Sequence, residues 1–331
     1  MASSTIIKTS ANIIQESVNR LPPLPSIKEL MHMYKLKARR HLSQNFLLDY
    51  KLTNKIVKSA GRVKDCYVCE VGPGPGNITR SILMKGAKHV VVIEKDDRFL
   101  PSLELLSNAA PGRMKIILGD VLDYNMETIF PEEMSRDWHD ICPPFFIIGN
   151  LPFNIATPLI IKWLRQMSER RGPFRYGRTR LTLTFQREVA ERLIACPCSP
   201  QRCRLSVMCQ HLCMPDYKFT ISGSAFLPAP EVDVGVVTFT PLKEPLIKCP
   251  FPLVEKVNRT LFHTRQKMCK HTVKLLFPKN RQQLLNEVFR QTGIDPETPP
   301  FKLTNEEIGQ ICMLYEQFCN EYSDIRDYNF R

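Results

Sequence analysis

The chain has 331 residues, 43% of them hydrophobic and 24% charged, which excludes a disordered or fibrous polypeptide and allows one catalytic domain plus a smaller appendage. Lysine and arginine exceed aspartate and glutamate by 46 to 33, giving a net charge of +13 that favours a polyanionic partner and says nothing of the fold. Apolar runs such as Val90–Ile93 and Phe145–Ile148 fall far short of the roughly 20 residues that cross a bilayer, so no membrane partner is expected.

Residues 1–28 are serine-rich and poor in acids, with Lys8, Arg20 and Lys28 among Ile6, Ile7, Ile13, Ile14, Val18 and Leu21. That roughly amphipathic, weakly basic pattern predicts a mitochondrial targeting segment and hence a place in the mitochondrial matrix. Leu21-Pro22-Pro23-Leu24-Pro25 then stops any helix.

From about residue 50 to 240, β-branched runs alternate with helical stretches: Tyr67–Val71, Val90–Glu94, Lys115–Leu118, Phe145–Gly149, Leu181–Phe185 and Val234–Thr240. Alternation of this kind predicts βαβ units and a mostly parallel sheet. The runs are apolar throughout, as expected of strands covered on both faces. A doubly wound, Rossmann-like α/β domain over 29–242 follows. After Pro241 helical patterns near 251–264, 268–289 and 304–322 predict a small helical domain over 243–331.

The 12 cysteines are scattered and are expected to be reduced thiols. Cys66/Cys69 and Cys209/Cys213 have ligand-like spacing, but the first pair flanks a strand and the second falls in an apolar helical run. Both are read as core residues, and no metal is expected.

The first strand runs into Glu70-Val71-Gly72-Pro73-Gly74-Pro75-Gly76-Asn77, a glycine turn at the carboxyl edge of the sheet, where such folds bind ligands. The glycines fall at every second position, unlike the dinucleotide pattern, and no Gly-Lys-Ser/Thr triplet is present to hold a phosphate. Glu94 ends the second strand, the place from which a carboxylate accepts hydrogen bonds from ribose hydroxyls. Asp120 follows the third strand in Leu118-Gly119-Asp120-Val121, where it would accept an adenine amino proton. The two carboxylates together point to an adenosine-bearing cofactor.

The fourth strand ends in Gly149-Asn150-Leu151-Pro152-Phe153-Asn154, which answers a specific chemical problem. Adenine N6 is a poor nucleophile because its lone pair is delocalised into the ring. The Asn150 side-chain oxygen and the adjacent backbone carbonyl can both accept from that amine and draw it toward a tetrahedral state. Pro152 fixes the backbone that aims those acceptors, and Phe153 stacks on a base presented out of its helix. No general base is needed, because a sulfonium donor is already charged and the proton can leave after transfer.

These segments, with Leu42-Ser43-Gln44-Asn45-Phe46-Leu47-Leu48-Asp49, Val92-Ile93-Glu94-Lys95-Asp96, Gln186-Arg187-Glu188-Val189-Ala190 and Phe226-Leu227-Pro228-Ala229-Pro230-Glu231-Val232-Asp233, carry a resemblance over nearly everything after residue 36. The sequence resembles the small-subunit ribosomal RNA adenine dimethyltransferases, and most of all their mitochondrial branch, also described as transcription factors of the B type. The resemblance implies S-adenosylmethionine as cofactor and N6,N6-dimethylation of adenines in a small-subunit ribosomal RNA hairpin. It also implies that Gln44, Leu47, Gly72, Glu94, Lys95, Asp120, Val121 and Asn150 form the cofactor pocket, beside Gly74 and Gly76 of the turn, and that Phe226 packs on the target adenine. Ser43 and Asn77 stand where many members have glycine, and Phe153 replaces a common tyrosine, which keeps the ring and loses a hydroxyl.

Two basic clusters are candidates for RNA contact. The first is Arg165, Arg170, Arg171, Arg175, Arg178 and Arg180, interleaved with Phe174 and Tyr176; the second is Lys256, Arg259, Arg265, Lys267, Lys270 and Lys274, spaced to line part of one helix face. The expected partner is small-subunit ribosomal RNA or an assembling subunit, bound by a monomer. The rival reading is a transcription initiation factor that keeps the fold as a nucleic-acid scaffold beside a mitochondrial RNA polymerase. Damaged cofactor motifs would mark that rival, and the motifs are intact.

Overall fold

The computed structural model describes residues 21–330, so the targeting pattern of residues 1–20 lies outside the described residues. Within the expected leader, Ser26 caps a helix at Ile27–Met33 through a reciprocal pair with Glu29. Ile27 and Leu30 of that helix are buried.

The strands are β1 (Phe46–Leu47), β2 (Tyr67–Val71), β3 (His89–Glu94), β4 (Met114–Leu118), β5 (Phe145–Gly149), β6 (Arg180–Gln186), β7 (Cys213–Ile221), β8 (Phe226–Leu227) and β9 (Val234–Pro241). Among the described residues a seven-stranded sheet has the order β4-β3-β2-β5-β6-β9-β7, and β1 pairs with β8. Neighbours from β4 to β6 run parallel, and β9 runs antiparallel to β6. The six expected strands are all present, and the sheet interior is an apolar core that includes Val68, Val90, Val92, Phe146 and Ile148. The helices on its faces are Tyr50–Ser59, Asn77–Met84 and Leu100–Ala109.

β7 was not expected. Cys213 starts this strand instead of continuing a helix, which ends at Gln210. Pro215 and Asp216 inside the run mask its strand character, since both are depleted from strands. The Cys209 and Cys213 thiols are buried and lie 3.5 Å apart.

The described chain divides into two compact units. One holds the residues up to Leu159, Gly172–Arg187 and Lys218–Phe239; the other holds Ile160–Arg171, Glu188–Tyr217 and Thr240–Arg331. The chain makes its last passage between them after Phe239, three residues before the expected boundary at 242, and two earlier excursions also contribute to the second unit. That unit contains Phe251–Leu261, Leu284–Thr292 and Asn305–Glu321, the last opened by a Thr304/Glu307 capping box. The expected helix over 268–289 is broken: Cys269–Val273 passes into short 3-10 turns around Pro278 before the chain resumes at Leu284, because proline cannot continue a helix from the preceding turn. Arg202, fully buried there, donates to Ala195 O at 3.1 Å and Asn305 Oδ1 at 2.9 Å.

Candidate active site

β2 lies between β3 and β5. The chain therefore leaves β2 toward one side of the sheet and returns on the other, which opens a crevice at the carboxyl ends. Val71 sits opposite Gly149 in that register, so the turn after β2 and the turn after β5 face each other. Gly72, Gly74 and Gly76 all have positive φ, +66°, +53° and +92°, which glycine alone adopts without strain. At Gly149 the constraint is space, since a Cβ would lie 3.0 Å from Val71 O.

The cavity in this crevice is lined by every expected cofactor residue except one: Gln44, Leu47, Gly72, Gly74, Glu94, Lys95, Asp120, Val121 and Asn150 are present, with Leu151, Pro152, Phe153 and Phe226. Gly76 is the exception. It caps the helix Asn77–Met84, and a Cβ there would press on Leu106 at 3.2 Å, so its work is to let the helix approach Leu103 and Leu106.

Glu94 is buried, and its carboxylate accepts from three backbone N–H groups: Gly74 at 2.9 Å on Oε2, and Lys95 at 2.9 Å and Asp96 at 2.8 Å on Oε1. Burial raises its pKa against the pull of those donors. Asp120 accepts from Leu122 N at 2.9 Å and from Lys95 Nζ at 2.7 Å. Lys95 thus braces Asp120 from the residue after Glu94.

Residues 37–47 are fastened to this site by a network that sequence reasoning missed. Asp96, 2% exposed, accepts from Arg98 Nε at 2.9 Å, Arg98 Nη2 at 2.6 Å and Gln44 Nε2 at 2.8 Å. Gln44 Oε1 accepts from Arg39 N at 2.9 Å, and Arg98 Nη1 donates to Lys37 O at 3.1 Å. Asn77 donates to Leu47 O at 2.7 Å. The Gln44–Asp96, Arg98–Lys37 and Asn77–Leu47 bonds join residues 52, 61 and 30 positions apart, and only the motif Asp96 beside Glu94 hinted at them.

The donor set fits an adenosine-bearing sulfonium. Two carboxylates stand at successive strand ends, Phe46, Ile93, Phe99 and Val121 supply apolar walls, and among the described residues that line the cavity the one lysine or arginine is Lys95, which donates to Asp120. Asn150 follows the last residue of β5 and its Nδ2 donates to Asn45 O at 3.1 Å, while Phe153 and Phe226 line the same cavity.

The basic clusters divide. Arg170, Arg171 and Lys267 are exposed. Arg175 pairs with Glu132 at 3.1 Å, and Arg178 donates to Trp138 O at 2.9 Å, so both brace the connection before β5. Phe174 and Tyr176 are buried at 0% and 1% exposure, with Tyr176 packed edge-on against Phe130 and Phe145, and neither ring can stack on a base. In the second cluster Arg265 donates to Pro200 O at 2.6 Å, Lys256 to Arg326 O at 2.8 Å, and Lys270 pairs with Glu297 at 3.3 Å. The expected single helix face does not exist, because Lys256 and Arg259 lie on Phe251–Leu261 whereas Lys270 lies on Cys269–Val273.

A doubly wound sheet with a glycine turn, paired strand-end carboxylates and Asn-Leu-Pro-Phe at the switch point defines an S-adenosylmethionine-dependent methyltransferase acting on an exocyclic amine. The family model described as ribosomal RNA adenine dimethylase matches residues 35–318. The chain belongs to this family. It is 52% identical to the human mitochondrial dimethyladenosine transferase 1 over 316 residues, 95% of this chain and 91% of the relative. The Xenopus tropicalis protein of that name is 51% identical, covering 94% and 90%. The crystal structure of a dimethyladenosine transferase from Plasmodium falciparum superposes with a TM-score of 0.65 at 21% identity, covering 81% of this chain and 96% of that one. That of the 23S rRNA methyltransferase ErmE gives 0.58 at 22%, covering 81% and 98%.

Proposed function

We propose that the protein dimethylates N6 of adenines in a small-subunit ribosomal RNA hairpin, as a monomer acting on an assembling subunit in the mitochondrial matrix. The observation that carries this is the placement of Asn150 directly beyond β5, facing the glycine turn and flanked by Phe153 and Phe226 in one cavity. Bound there, S-adenosylmethionine supplies an electrophilic methyl group.

The chain's own residues do the rest. Glu94 and Asp120 offer acceptors at the strand ends for ribose hydroxyls and an adenine amine. Asn150 Oδ1 and the neighbouring backbone carbonyl accept from the N–H bonds of the target amine and turn its lone pair out of conjugation. Phe153 and Phe226 hold the extruded base by its faces. Exposed Arg170, Arg171 and Lys267 contact phosphates, with Arg175, Arg178, Arg265 and Lys270 shaping the backbone around them. The transcription-factor reading, with a polymerase as partner, gains nothing from a pocket in which both carboxylates and the Asn150 turn are in place.

Labelled S-adenosylmethionine incubated with unmodified small-subunit particles, followed by mapping of modified bases, tests the proposal. Asn150→Ala is expected to bind cofactor and fail in transfer. A fully active variant would remove Asn150 from the mechanism.

A further inference from the structure

The Asn150 amide is gripped at both ends. Its Oδ1 accepts from the Thr184 hydroxyl at 2.8 Å, and its Nδ2 donates to Asn45 O at 3.1 Å. An amide oxygen only accepts, so the hydroxyl is the donor. Turning the amide over would set Oδ1 against the Asn45 carbonyl oxygen, two acceptors face to face, so the Asn45 end selects the orientation. In that orientation the Thr184 hydroxyl donates to Oδ1 and holds it in place.

The strand register makes this contact. β5 and β6 pair in parallel with Gly149 opposite Leu183. The next residue on each is Asn150, which leaves the sheet, and Thr184, which continues in β6 and is held on its other side opposite Val236 of β9. Thr184 is fully buried, so no water competes for its hydroxyl. Of the two lone pairs on Oδ1, the hydroxyl takes one, and the other remains for a single N–H of the amine.

We propose that Thr184 is a positioning residue for methyl transfer: its hydroxyl fixes the rotation of the Asn150 amide so that one oxygen lone pair points at the target amine. This rests on the reading of Asn150 given above. It separates Thr184 from a packing residue, because the effect lives in the hydroxyl and not in side-chain volume.

The test compares Thr184→Val, nearly isosteric and without the hydroxyl, with Thr184→Ser, which keeps it. Single-turnover transfer from labelled S-adenosylmethionine to unmodified small-subunit particles is measured beside cofactor affinity by calorimetry. Valine is expected to slow transfer by up to about 100-fold, the cost of a misplaced acceptor, with unchanged cofactor affinity, and serine to restore the rate. Valine at the wild-type rate, or serine as slow as valine, overturns the proposal. If the valine protein does not fold, Thr184→Ala replaces it, and equal alanine and serine rates are the overturning result. Asn150→Ala separates the two layers: an active alanine variant defeats the reading beneath, whereas an inactive one beside a fully active valine variant defeats only the role of Thr184.

Discussion

The backbone N–H of Gly74 donates to Glu94 Oε2 at 2.9 Å, so the carboxylate expected to meet a ribose also pins the glycine turn to the end of β3. With Lys95 and Asp96 donating to Oε1, it is a buried acceptor serving three N–H groups. Glu94→Gln puts an NH2 group against one or more of those donors. The expected result is weaker cofactor binding together with a loss of about 1–3 kcal/mol in folding stability, the penalty for unsatisfied buried donors. Cofactor titration and urea unfolding measure the two effects, and a variant unchanged in both would take Glu94 out of the site.

Arg98 is predicted to govern how long the cofactor stays. It holds Asp96 and, through it, Gln44 of the segment that lines the cavity. Arg98→Met removes charge-assisted hydrogen bonds worth roughly 1.5–3 kcal/mol, so the dissociation rate should rise by about 10- to 100-fold, with amide exchange accelerating over 37–47. Burial alone would push the Asp96 carboxyl up, but bonds from Arg98 and Gln44 outweigh it and hold it at about 2, below its ordinary 3.8. The stabilisation is therefore complete above pH 3.8 and is lost as pH falls toward 2. Stopped-flow release at neutral pH should find the latch intact in the wild type; an unchanged off-rate in Arg98→Met would refute the latch.

Much of this architecture was legible because it depends on local signals. Apolar runs between helical stretches located β2 to β6 and β9, and alternate glycines located the turn. What stayed hidden depends on register or on distant partners. Thr184 looks like any β-branched strand residue until the β5–β6 pairing sets it beside Asn150. Gln44 and Asp96 are 52 positions apart. Phe174 and Tyr176, interleaved with arginines, resemble a nucleic-acid platform in sequence, yet the core beside Phe145 claims Tyr176. Gly76 belongs to the same visible motif as Gly72 but serves helix packing.

Phe153 lines the cavity beside Asn150, where its ring is expected to stack on the base. Phe153→Ala should lose about 1–3 kcal/mol of RNA-dependent transition-state stabilisation, the usual worth of one base–aromatic stack. Phe153→Tyr should keep it. Comparing kcat/KM for RNA with cofactor affinity measures this, and an alanine variant impaired only in cofactor binding would contradict the stacking role.

His211 supplies a pH-dependent element in the second unit. It is 1% exposed, and neither ring nitrogen has a hydrogen-bond partner among the described residues. Burial without a partner disfavours the imidazolium and lowers its pKa from 6.5 to about 4. The unfolded chain protonates this histidine first, so between those values it binds more protons than the native state, and stability rises with pH. The contribution is fully present above 6.5 and is lost progressively as pH falls toward 4, by an amount on the order of 3 kcal/mol. His211→Leu removes the titrating group while keeping an apolar side chain. Urea unfolding across that interval should give a flatter stability profile for the variant than for the wild type; parallel profiles would mean that His211 reaches solvent or a partner in the folded protein.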